Sequence, residues 1–496
     1  MIKDLPTART ETLEPNPDGM TDVFSRIGYT LSEALADVID NSIDAGATRV
    51  FVQFHRSDTR INRITIADDG SGMTSAHLAR IMQFGVRSES SGARLGKYGI
   101  GLKTASFSQC SAFTVITRSN GVTSARRWSF EMAKQGWRIE VIEADAAAAF
   151  WKREWAAMGS SPKSGTIVVW DSLQRLVAES GGLEKALAKL RTGLRIELGL
   201  RFHRFIESGR IQLCIRERCG DSGGPPEPVP PLDPFGYGGK SGRRGYPITF
   251  SVLVGGSVRV EAEAHIWPPK SQSPMYKLGA GAVVKRQGFY FYRNDRLIAA
   301  GGWHGCKSEE PHSSLARVKV DLPTELDALF QLTVQKTGCS PPPEFLEGLR
   351  SARVGDTSFA DYLEAAQSSY RNAPTEQVAI AVPGSGLPRS FSAAMRRLIK
   401  SRHERCVPRR VGFEWKVLPH DKVIETDLAG SRVILNSRYR SKLFGRRPSS
   451  KASVPFLAML FLNLQESFAY ERAGKRVQEQ TAQVNDVLLM VVGAQG

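Results

Sequence analysis

A chain of 496 residues that is 41% hydrophobic and 24% charged has the balance of a folded multidomain protein, which excludes a mainly disordered or fibrous one. The longest late apolar run, Val454 to Leu464, is about half the ~20 residues of a membrane span, so no transmembrane helix is expected. Six cysteines are too few for a disulfide framework and Met1-Ile-Lys-Asp4 does not read as a signal peptide, so a reducing cytosol is the expected setting.

In chain order, Leu31 to Ala45 has helical spacing, with Leu35, Val38 and Ile39 on one side and Gly46 as terminator. Arg49 to Phe54, Arg63 to Ala67, Ala112 to Thr117 and Thr166 to Trp170 read as strands. The stretch 220–247 is so rich in Gly and Pro that it reads as a linker or long loop. A strand-rich block follows, with Ile248 to Val254, Val258 to Ala264 and Gly288 to Tyr292. Further breaks fall near Gly338–Pro343 and Val382–Pro388, and Val454 to Val492 is mainly helical in pattern beside an expected strand pair. The expected domains are 1–219, a linker 220–247, 248–366 and a basic 367–496.

Three segments of the first block carry chemistry. Glu33, Asp37, Asn41 and Asp44 recur at helical spacing, giving one face rich in oxygen donors that suits a hard cation such as Mg²⁺ or, equally, a solvated acidic face. Asp68 ends a strand and is followed by Gly70, Gly72 and Met73. There a carboxylate can accept from an exocyclic amine such as adenine's, and the glycines admit a flat ligand; an ordinary Asp-Gly turn is the plain alternative. Gly92 to Gly101 then leads into a helix, and amides at a helix start cradle phosphate, with Lys97 and Lys103 adding charge. The spacing fits neither a P-loop nor a dinucleotide fingerprint.

Taken in order, these segments resemble the GHKL ATPase superfamily of DNA gyrase, the ninety-kilodalton heat-shock chaperones, histidine kinases and MutL. The string Gly96-Lys97-Tyr98-Gly99-Ile100-Gly101-Leu102-Lys103 is similar to its lid and phosphate box and is nearest to the MORC branch. So is Gly288-Phe-Tyr-Phe-Tyr292-Arg-Asn294-Asp-Arg296-Leu-Ile298, which resembles a second-domain pattern. The resemblance implies an α/β (α+β) chain: a GHKL two-layer sandwich with helices on one face, a transducer-like domain akin to ribosomal protein S5, and a small basic C-terminal α/β domain. It further implies ATP and Mg²⁺ as ligands. Asn41 would hold the metal, Asp44 would lie in the same box, and Asp68 and Thr166 would read adenine. Gly70, Gly72 and Met73 would line the base, and Gly96 to Lys103 would wrap the triphosphate. Lys336, with Lys319 as fallback, would reach the γ-phosphate. Relatives that hydrolyse ATP usually carry Glu where this chain has Asp37, so Asp37 is the candidate base, with Glu33 a turn away; slow turnover is expected. An ATP-driven homodimer is implied, and phage defence or genome maintenance is a fold-level analogy. A histidine kinase fits less well, since no sensor or membrane segment precedes the box.

The tail adds a separate expectation. Of a net charge of +17, residues 389–451 hold 17 Lys/Arg against 5 Asp/Glu, with arginines beside Tyr439 and Phe444. Such a field suits DNA or other nucleic acid, or is a solvated basic face. The two functional readings are an ATPase and a non-hydrolysing ATP-dependent clamp. Cys214/Cys219 and His403/Cys406 lack a matching zinc pair, and Trp303 reads as core.

Overall fold

Thr30 sets where the first long helix begins. Its hydroxyl accepts the Glu33 amide at 3.3 Å while the Glu33 carboxylate accepts the Thr30 amide at 2.8 Å, a reciprocal cap for donors that a helix start leaves open. From there α1 (Leu31–Asp44) buries Ala34, Leu35, Val38 and Ile39, and the chain leaves the helix through Gly46 at φ +71°. The computed structural model describes residues 28–57, 60–84, 95, 101–173, 183–220, 222–279, 283–332, 338–372, 380–402, 408–428, 430–445, 453–468 and 475–493, with isolated residues at 16, 19, 23 and 26.

The first sheet is built from β1 (Arg49–Arg56), β2 (Ile61–Asp68), β3 (Cys110–Ser119), β4 (Val122–Ser129), β5 (Glu140–Ile142), β6 (Gly165–Leu173), β7 (Gln212–Cys219), β8 (Ser222–Gly223) and β9 (Glu227–Pro228). Its order is β5-β4-β3-β6-β2-β1-β7-β8, with β9 also on β7. Among the described residues of this sheet, only β1 and β7 pair in parallel. Side chains alternate between faces. Val50, Val52 and Phe54 join a core with α1, α2 (Ser75–Met82), α3 (Gly101–Gln109) and α5 (Leu183–Arg201). Phe51 and Cys214 join a second core on the opposite face, closed by Trp151 and Trp155 of α4 (Ala144–Ala157). Helices on one face alone were expected. The mixed α/β class holds, but α4 adds a layer on the other side because Ala147, Trp151 and Trp155 form an apolar stripe at intervals of four.

The second sheet runs β10-β11-β14-β12-β13, from β10 (Ile248–Val254), β11 (Val258–Ile266), β12 (Gly288–Arg293), β13 (Arg296–Ala300) and β14 (Ala316–Asp321). One face packs on α6 (Pro343–Ser351) and α7 (Phe359–Arg371), between which lies the small hairpin β15 (Arg353–Val354) and β16 (Thr357–Ser358). Tyr290 and Tyr292, on the other face, pack with Leu200 of α5. Both sheets belong to one compact unit, Met1–Arg371.

The Gly/Pro-rich stretch is therefore not a linker between separate bodies. The Val229 amide donates to Leu213 O at 2.8 Å and the Leu232 amide to Gly199 O at 3.1 Å. Pro234 O accepts from Trp267 Nε1 at 2.8 Å and from the buried Arg317 at 2.7 Å. Gly and Pro exclude a helix there, but they do not prevent a loop from being packed. The break near 338–343 is likewise only the start of α6, with Pro343 at its first turn.

Asn372–Gly496 is a second unit with its own core. Its sheet order is β17-β18-β20-β19, from β17 (Ile380–Pro383), β18 (Pro408–Lys416), β19 (Ile424–Asp427) and β20 (Arg432–Asn436). Val411, Val433 and Leu435 pack with α9 (Val454–Leu464) and α10 (Lys475–Gly493), and α8 (Arg389–Arg402) joins β17 to the parallel β18. There are four strands among the described residues where a pair was expected, because β17 runs into the supposed break at 382–388 and β18 opens on Pro408, Arg409 and Arg410. No helix among the described residues is long and apolar enough to cross a membrane.

Candidate functional site

The end of β2 delivers Asp68 to a point where three distant segments meet. Its Oδ1 accepts the amides of Gly70 at 3.0 Å and Thr166 at 3.2 Å, and its Oδ2 accepts the Ser42 hydroxyl of α1 at 3.0 Å. A carboxylate offers about four lone-pair sites, so one remains for an outside donor. Burial raises the Asp68 pKa to about 6, opposed by those three hydrogen bonds.

Backbone packing alone requires glycine at two positions beside it. Gly72 has φ +65°, and a Cβ there would lie 2.0 Å from Arg118 O. A Cβ on Gly165 would lie 2.0 Å from Asp68 O. Thr117, which the sequence flagged only as part of a strand, locks the same corner. Its hydroxyl accepts the Met73 amide at 2.8 Å, donates to Gly165 O at 3.0 Å, and lies 3.4 Å from the Thr166 hydroxyl.

Along α1 the four predicted polar residues have separate partners. Glu33 is spent on the cap and lies 3.8 Å from Arg201, which makes it a structural residue rather than a base. Asp37 is 3% exposed. Its Oδ2 accepts the Tyr29 hydroxyl at 2.8 Å, and its Oδ1 lies 3.8 Å from the Arg296 guanidinium. Burial, with Asp37 next, raises the Tyr29 pKa, so the phenol stays a donor. Asn41 is exposed; its amide nitrogen donates to Asp37 O at 2.9 Å, leaving the oxygen as the end suited to a cation. Asp44 accepts the Leu95 amide at 2.9 Å and so ties that residue to α1. A Cβ on Gly101 would lie 3.5 Å from Asp37 Oδ2, so the start of α3 faces the same carboxylate.

Lys103 departs from its expected role. It is buried, and its ammonium donates to Ile81 O and Gln83 O, both at 2.7 Å, at the end of α2 rather than toward a phosphate. Burial lowers its pKa to about 8. The Lys319 ammonium is held by Glu263 within the second sheet. Trp303 is a core residue whose indole donates to Gln287. Gly96, Lys97, Tyr98, Gly99, Ile100, Lys336, His403 and Cys406 lie outside the described residues.

The sequence pattern missed Asp40, and it placed Arg296 in the second-domain string without linking it to α1. Both are fully buried, and Arg296 Nε lies 2.7 Å from Asp40 Oδ1. Asp40 falls off the Glu33–Asp44 face; a carboxylate directly after Val38-Ile39 on an apolar helix side was the available signal. Among the described residues no group of three or more His, Cys, Asp or Glu could hold a metal. An exposed amide oxygen fits a cation that keeps water and substrate phosphates as ligands, which is Mg²⁺ behaviour.

Residues 29–154 match the family model described as "Histidine kinase-, DNA gyrase B-, and HSP90-like ATPase". That span contains α1, Asp68 and the glycine-rich segment, so the chain carries a GHKL-type ATPase domain. Among individual proteins it is similar to ATPase MORC2A of Mus musculus and ATPase MORC2 of Homo sapiens, each 33% identical over 89 residues. The matched stretch is 17% of this chain and 9% of either relative, and it places the domain near the MORC members.

Proposed function

We propose that this chain binds ATP with Mg²⁺ and hydrolyses it slowly, using the nucleotide to drive lid closure and pairing of two chains. The Asp68 cluster carries this reading: a buried carboxylate held by three donors keeps an acceptor site for the adenine amine. Thr166 and Met73 flank that position. Asn41 would hold Mg²⁺, which when bound neutralises charge on the phosphates. Asp37 orients the attacking water and takes its proton, and the amides from Gly96 to Gly101 receive the triphosphate.

Calorimetry with Mg²⁺ and a non-hydrolysable ATP analogue tests this. Saturable binding at pH 7.5 is expected, weakened at least 30-fold by Asn41→Ala. Binding should also weaken about tenfold at pH 5, because protonation of Asp68 below about 6 removes its acceptor. The sign for stability is opposite: a carboxyl whose pKa is raised on folding favours the folded state at low pH and loses that contribution as pH rises through about 6. No heat with any purine triphosphate would end this reading.

A non-hydrolysing clamp is the second reading, favoured by the enclosure of Asp37 between Tyr29, Arg296 and α3. In either case the C-terminal unit is proposed to contact DNA. Arg389, Arg397, Arg410, Arg438 and Arg440 are exposed there with no ion pair among the described residues, and Arg440 lies over the Trp415 ring at 5.2 Å. Reversing Arg438 and Arg440 to Glu should weaken DNA binding and flatten its log–log salt slope by about 2. An unchanged slope would remove nucleic acid from the account.

A further inference from the structure

The β12–β13 hairpin of the second sheet ends on a two-residue turn, Asn294-Asp295, with both residues at positive φ (48° and 65°). Each flank of that turn is clamped. Arg293 Nε lies 2.9 and 3.0 Å from the two Asp327 oxygens. Asp295 takes Arg210 at 2.7 Å and Arg204 at 3.3 Å, both from the first-sheet side of the unit. Arg296 then enters the helix layer of the first sheet, fully buried, with its guanidinium 5.7 Å from the Phe202 ring centre.

The two contacts of Arg296 on α1 are unequal. Nε lies 2.7 Å from Asp40 Oδ1, a buried ion pair that anchors the guanidinium against α1 by charge. The terminal nitrogen is then 3.8 Å from Asp37 Oδ1, too long for a hydrogen bond but within range of direct attraction. Asp37 is thus drawn toward a cation through one oxygen, while the Tyr29 hydroxyl steadies the other at 2.8 Å. The residue with which the second sheet reaches the acidic helix is therefore an arginine on a rigid turn.

We propose that Arg296 is a positioning residue for hydrolysis: it holds Asp37 in working geometry from the second sheet, so that turnover requires the β12–β13 hairpin to be seated on α1. This rests on the ATPase reading above.

The test runs single-turnover ATP hydrolysis and analogue titration in parallel on the full chain. Arg296→Gln should keep analogue affinity within about threefold while its rate per bound nucleotide falls about 30-fold, and Arg296→Lys should recover to within about fivefold of wild type. A merely structural role would lower the folded fraction and the number of binding sites, leaving the rate per site unchanged. Should Arg296→Gln not fold, the double variant Arg296→Gln/Asp40→Asn removes both charges together and leaves Asp40 neutral. It should bind nucleotide and remain at least tenfold slow. Wild-type rates per site in either folded variant overturn the proposal while leaving the ATPase reading intact. A wild-type chain that binds nucleotide and never hydrolyses it overturns both.

Discussion

Asp37→Asn is expected to cut ATP turnover by about 100-fold or more while leaving nucleotide affinity within about threefold, as single-turnover phosphate release and analogue titration would report. General-base removal carries losses of that order. Asn is isosteric and can still accept the Tyr29 hydroxyl, now 2.8 Å from Asp37 Oδ2, so the fold around α1 should persist. Retention of wild-type turnover would move the base elsewhere on the chain. The reverse change, Asp37→Glu, is not a simple restoration of the residue that the resemblance leads one to expect there. Its added methylene must enter a space bounded by Tyr29, Arg296 and Gly101, and overpacking of that kind costs about 1–3 kcal/mol.

The largest stability effect is expected at Gly72. A methyl group there would meet Arg118 O at 2.0 Å, and the residue would still be held at φ +65°. Both the contact and the left-handed backbone oppose it, so Gly72→Ala should cost about 3 kcal/mol or more, lowering the unfolding midpoint of the 1–371 unit by roughly 4 °C or more in a thermal melt. Gly46→Ala is the matched control. It shares a positive φ of 71°, yet nothing lies within 4 Å of its Cβ position, so only the backbone cost of about 1–2 kcal/mol applies. Equal losses at the two positions would show that crowding against Arg118 is not what requires glycine at 72.

Local signals in the chain were informative where structure is set locally. The period of Leu35, Val38 and Ile39, with Gly46 as terminator, defines α1 within a residue of its observed end, whereas Glu33, read as part of an oxygen-rich face, serves as its cap. Asp68 with Gly70 and Gly72 marks a tight corner whatever its purpose. What escaped was set by partners far along the chain. Lys103 lies in a glycine-rich context that reads as phosphate-binding, yet the unsatisfied carbonyls at the end of α2 claim its ammonium. Arg296 stands in a recognisable string and Asp40 in none, but nothing local links them across 256 positions of chain before a 2.7 Å contact unites them. Thr117 had no motif to announce it, because its importance lies in being opposite Gly165 and Thr166 on neighbouring strands.

The packed course of 220–247 has a practical corollary for dissecting the protein. Scissions at 219 or 247 would free neither half intact. Leu232 is bonded to the earlier helix, and Pro234 serves a tryptophan and an arginine of the later sheet. A fragment ending at 219 would bare Leu200 to water, and one starting at 248 would strand the guanidinium of Arg317 without its Pro234 acceptor. The smallest piece worth expressing is the whole of 1–371.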